Sequence, residues 1–235
     1  MRSFRLALAA SVIAFVGAVV PSAYACPAGA YTYAGLVGFG TVSGVGATVT
    51  PAVNGFDVLS GHVAGWVGVG GPGEGPGGSD EWLQAGLATF PLLDGHDVYY
   101  ELARPGLAPT YHRVEASLVP GSAVRVGVLE MHGRANWWRV WVNGTPVSAP
   151  IYLPASHGRW RPMVTAESWD GGASSCNAFL YAFTTVSVAR RPGGIWSPIG
   201  RADRIAGPDT IVAQHDGPRF EAAGGDLGLR ALAGR

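Results

Sequence analysis

Glycine and proline cut this chain into short apolar runs, and that punctuation is its strongest constraint on fold. With 36 glycines and 17 prolines among 235 residues, few stretches are long enough for a core helix. No segment carries a sustained 3.6-residue apolar repeat except a weak one near Asp226 to Leu232. Within the runs the period is two. In Trp82 to Phe90, Leu83, Ala85 and Leu87 point one way while Gln84, Gly86 and Ala88 point the other. Further strands are expected at Trp66 to Val69, Tyr99 to Leu102, Val114 to Val119 and Ala123 to Met131. Others follow at Trp137 to Val142, Arg161 to Trp169 and Phe179 to Val188. Asn143-Gly144 is a two-residue hairpin turn, with a return strand expected through Ile151. Roughly ten or more short strands joined by turns predict an all-β sandwich or jelly roll of two antiparallel sheets.

The ends read differently. Arg2 and Arg5 precede an apolar run, Leu6 to Val20, and Ala23-Tyr24-Ala25 fits an A-x-A cleavage site, so residues 1–25 are expected to be a secretory signal. The sandwich is expected over 26–190. Residues 191–235, rich in Gly, Asp, Arg and Ala after Arg190-Arg191-Pro192-Gly193-Gly194, read as a loosely ordered tail with a short helix near its end. The formal net charge is zero, so nothing electrostatic points to nucleic acid or an anionic membrane surface. A secreted monomer is expected.

Two residues break the apolar pattern. Gln84 is a primary amide in mid-strand between Leu83 and Ala85; left unpaired when buried it would cost about 1–3 kcal/mol. It is either satisfied structurally or faces a cleft. Glu167 shares a strand face with Met163, Thr165 and Trp169. A carboxylate among apolar and indole groups is desolvated, which raises its proton affinity and suits it to acid–base work; the alternative is a strand Glu on the solvent face. The cysteines and six histidines show no metal-ligand spacing, no nucleophile elbow is present, and the Gly/Pro-rich loop from Gly70 to Asp80 leads into a strand, unlike a phosphate loop.

The ordered set of pieces resembles the glutamic peptidases (eqolisins), especially their bacterial members. It comprises Trp66-Val67-Gly68-Val69-Gly70-Gly71, Leu83-Gln84-Ala85-Gly86, Tyr99-Tyr100-Glu101-Leu102, Ala166-Glu167 and the closing strand from Phe179. Gln84 and Glu167 stand 83 residues apart, much as in that family. The pattern departs at Gly70, where many fungal members have Asp, and at Ser168, where Trp is usual. The resemblance implies a concanavalin-like sandwich and a secreted, cofactor-free and metal-free acid endopeptidase acting on polypeptides. Glu167 would be the general base on water and then the acid to the leaving amine; Gln84 would hold the water and stabilise the oxyanion. Trp66 and Tyr100 would shape the substrate cleft. Two other readings stay open: a carbohydrate-binding lectin-like sandwich using Trp66, Trp137, Trp138 or Trp141, and a glycoside hydrolase pairing Glu167 with Glu101 or Glu130.

An exported chain with two cysteines predicts a Cys26–Cys176 disulfide. It would close a loop of roughly 150 residues and contribute about 4–5 kcal/mol through chain entropy. Thiol titration of the denatured, unreduced exported protein should find no free thiol; two per chain would refute the pairing.

Overall fold

The computed structural model describes residues 31–170, 177–215 and 218–235. In chain order the strands are β1 (Tyr31–Gly38), β2 (Gly44–Pro51), β3 (His62–Gly71), β4 (Glu81–Thr89), β5 (His96–Ala103) and β6 (Thr110–Leu118). Then come β7 (Val124–Glu130), β8 (Trp137–Val142), β9 (Thr145–Pro146), β10 (Ile151–Tyr152), β11 (Pro162–Trp169) and β12 (Phe179–Ala189). The last are β13 (Trp196–Pro198), β14 (Ala202–Ala206), β15 (Thr210–Gln214) and β16 (Phe220–Gly224), before helix α1 (Gly225–Ala233). Every pairing is antiparallel.

They form the expected two-sheet sandwich. One sheet has seven strands in the order β14-β1-β11-β3-β4-β5-β6; the other runs β10-β8-β7-β2-β12-β16-β15, with β9 and β13 attached to β8 and β12. The core lies between the inward faces. Val63, Val67, Leu83, Leu87 and Val98 of the first sheet meet Val45, Val49, Val126, Val140 and Phe183 of the second in one buried cluster. Period-two alternation in β3, β4 and β5 therefore leaves their other face free to carry a site.

The Asn143-Gly144 turn forms, both residues at positive φ (48° and 81°) as a type I′ turn requires. The return strand is broken. β9 and β10 are separate two-residue pieces, with Pro146 and Pro150 withholding ladder donors along the return.

The segment after Arg190 is not a loosely ordered tail. β14 extends the first sheet beyond β1, and β16 extends the second beyond β12, with β15 outside it. Phe220 is buried and stacks on Phe183 at 4.6 Å, and Ala222 and Ala223 are fully buried. Helix α1, where a short helix was expected, packs Leu229, Ala231 and Leu232 against Ala52, Leu180 and Ala223. These strands are short and polar on one side, so alone they look tail-like; they form because existing strand edges supply their hydrogen bonds. The signal segment and both cysteines lie outside the described residues. Among the described residues no helix is long and apolar enough to cross a membrane.

On the core side, Glu81 is fully buried and neither carboxylate oxygen has a hydrogen-bond partner among the described residues. Loss of solvation pushes it up to about 7, against the opposing pull of Arg159. A raised carboxyl favours the fold below its ordinary value, and that contribution is lost as pH rises through about 7. Glu81→Gln should therefore gain stability over the wild type between pH 4.5 and pH 8, on the order of 3 kcal/mol in denaturant melts; an equal difference at both pH values would exclude this. Ending the chain at Arg190 should abolish cooperative thermal unfolding, because it uncovers Phe183 and Leu180.

Candidate active site

Registers across β11, β3, β4 and β5 arrange the free face of the first sheet in rows. One row holds Glu167, Ala64, Ala88 and Asp97; the next Thr165, Trp66, Gly86 and Tyr99; the third Met163, Gly68, Gln84 and Glu101. Gln84 and Glu167 thus share a face, as strand phase predicted. They stand two rows apart, on strands either side of β3. From strand spacing and rise their Cα atoms are roughly 16 Å apart, with Trp66 and Tyr99 in the row between.

Glycine makes this face possible. A Cβ on Gly86 would lie 2.6 Å from Trp66 Cβ and 2.2 Å from the Gly65 carbonyl oxygen. A Cβ on Gly68 would lie 2.9 Å from Gln84 Cβ and 3.1 Å from the Trp66 ring. Only hydrogen at these positions lets the indole lie against the sheet beside the amide.

Gln84 is 8% exposed, and its Nε2 donates to the Tyr99 hydroxyl at 3.2 Å. Burial, then the charges of Glu167 and Glu101, push the Tyr99 hydroxyl well above its ordinary value, so it stays neutral. Glu167 is 4% exposed, and its Oε1 lies 3.2 Å from His62 Nε2. Aromatic rings surround the pair. Tyr33 faces Glu167 across the β1–β11 register, Tyr31 stacks on Tyr33 and Trp169, and His62 tilts against Trp169 and Phe90. Burial and the Glu167 charge also raise Tyr33, keeping its hydroxyl protonated.

Glu101 lies directly across from Gln84 in the β4–β5 register, and its Oε1 accepts from Trp82 Nε1 at 3.0 Å. Burial raises its proton affinity, Glu167 adds to this, and the Trp82 hydrogen bond and His62 work against it. Trp66 is 6% exposed, and its indole nitrogen is buried without a partner among the described residues.

Tyr100 is not on this face. Its register neighbour is Ala85, on the core side, where it packs against the core and stacks on His112 at 4.5 Å. The cleft-side residues of β5 are Tyr99 and Glu101. Alternation alone cannot say which parity of Y-Y-E-L joins Gln84, because the turn before β5 sets the phase and a one-residue slip exchanges the faces. His62, at the start of β3, was also missed as a site residue. Glu130 belongs to the second sheet, fully buried, accepting from the Asn136 backbone N–H and paired with His157. Trp138 is core, and Trp137 and Trp141 alternate with it on the second sheet's outer side, so Trp66 is the one of the four beside Gln84. Among the described residues no group of three or more His, Cys, Asp or Glu is placed to hold a metal ion.

No family model and no curated protein sequence matches this chain. Solved structures do. Scytalido-glutamic peptidase with a peptide-based transition state analog matches at 16% identity and TM-score 0.57, and with a transition state analog inhibitor at 16% and 0.59. SCP-B, a member of the eqolisin family in complex with the tripeptide Ala-Ile-His, matches at 16% and 0.55. Each match covers 83% of this chain and 98% of the other. The fold is that of the glutamic peptidases.

Proposed function

We propose that this chain is a secreted acid endopeptidase that hydrolyses polypeptides by direct attack of water, with Gln84 and Glu167 at the reacting centre and no cofactor. The observation that carries the reading is their shared placement: two nearly buried polar side chains on one face of a glutamic-peptidase fold, each held by its own partner. Scytalido-glutamic peptidase takes peptide-based transition state analogs on the same fold; at this identity that likeness supports the reading through architecture alone.

In this scheme a substrate strand crosses the Trp66–Tyr99 row. Their Cα atoms stand roughly 16 Å apart, and the scissile carbonyl and its water would lie between the two side chains. Gln84 donates an amide N–H to the carbonyl oxygen as negative charge develops there; the Tyr99 hydroxyl fixes the amide beforehand, so little reorganisation is needed at the moment of reaction. Glu167, oriented by His62, accepts the proton of the attacking water. Trp66 supplies an apolar floor that keeps bulk water from competing.

Digestion of casein across pH 2–7 tests this. Glu167→Gln should abolish cleavage while leaving the thermal melt unchanged. Gln84→Ala should lower kcat by on the order of 10²–10³, the usual effect of losing one oxyanion donor. A Glu167→Gln protein cleaving at the wild-type rate would refute the assignment.

A further inference from the structure

We propose that Glu101 is the general acid that protonates the leaving amine, so that this site divides proton transfer between two carboxyl groups. The inference rests on the peptidase reading above and deepens it.

The β4–β5 pairing puts Glu101 directly across from Gln84, which brings the two side chains to cross-strand neighbour distance, about 5 Å between Cβ atoms. Glu167 lies two rows away, beyond Trp66 and Tyr99, and is engaged by His62. The amide nitrogen of a substrate shares the carbonyl carbon with the oxygen that Gln84 holds. The carboxyl beside Gln84 therefore stands close to that nitrogen, and Glu101 can serve it while Glu167 stays with the water and His62. Glu101 is anchored through Oε1 by the Trp82 indole, while Oε2 makes no hydrogen bond to the described residues.

The surroundings of Glu101 also suit it to hold a proton for donation. Burial, and to a lesser degree the Glu167 charge, favours the neutral form of Glu101, against the Trp82 hydrogen bond and His62.

The steps balance. Water adds to the carbonyl carbon as one of its protons passes to Glu167, and the C=O π pair moves onto the oxygen held by Gln84. Collapse re-forms the C=O bond and breaks the C–N bond, and the departing nitrogen takes the proton of Glu101. The products are a carboxylic acid and an amine, with Glu167 protonated and Glu101 ionised. One proton passes through solvent from the first to the second before the next turnover.

The test compares leaving groups. Glu101→Gln keeps a carbonyl oxygen for Trp82 but has no acidic proton. On a peptide amide its kcat should fall by about 10²–10⁴. On the 4-nitrophenyl ester of the same acyl sequence, whose leaving group needs no proton, it should stay within about threefold of the wild type. The ester rate doubles as the check on folding, and Gln84→Ala should impair both substrates. A Glu101→Gln protein that cleaves the amide like the wild type, or loses both reactions equally, overturns the assignment of Glu101 alone. A wild-type protein that cleaves neither substrate overturns the peptidase reading.

Discussion

The close approach of the Trp66 indole to the glycine strip of the first sheet is the contact on which the free face depends. Gly86 lies under the indole's Cβ and Gly68 beside its ring, and no other residue fits either position without moving backbone. With the ring laid flat, Ala64, Ala88, Tyr99 and Trp66 form a small apolar cluster separate from the main core. That cluster separates Glu167 from Gln84 and gives both an environment poor in water. Enlarging either glycine would lift the indole and remove the floor on which the two polar side chains depend.

Four glutamates of this sandwich meet four different fates, and the differences are chemical. Glu130, on the second sheet, takes a backbone N–H and His157 on Oε1, while Oε2 is buried without a partner among the described residues. Glu81 has no partner among the described residues and responds by holding its proton more tightly. Glu167 faces an imidazole inside an aromatic box, and Glu101 faces an indole N–H beside a primary amide. Of these four, only the last two lie on the free face. The glycoside hydrolase alternative named the same two carboxyls. The amide of Gln84 beside one of them is what turns the reading toward an acyl substrate, because an amide N–H is suited to an oxyanion.

Much of this was legible in residues 62–90 alone. The alternation of Trp82 to Thr89 put Gln84 opposite in phase to Leu83 and Ala85, and the core at Leu83, Leu87 and Ala85 confirms that phase. Glu167 likewise falls with Met163, Thr165 and Trp169, away from Val164 and Ala166. Tyr100 was misplaced because a strand's internal period says nothing about its phase relative to its neighbour. The strands after Arg190 were missed because their apolar content is too small to signal a core, and their burial comes from the surfaces they cover.

The sequence by itself determined an all-β sandwich, the strands that carry Gln84 and Glu167, and the face on which each lies, because period-two alternation is a local property of the chain. Tertiary structure alone decided which strands are neighbours, and hence that Glu101 stands beside Gln84, that His62 meets Glu167 and that two rows separate the amide from the carboxylate. Those relations depend on the register of hydrogen bonds between distant segments. Register is set by turns, glycine contacts and the packing of two sheets together, none of which a single strand encodes.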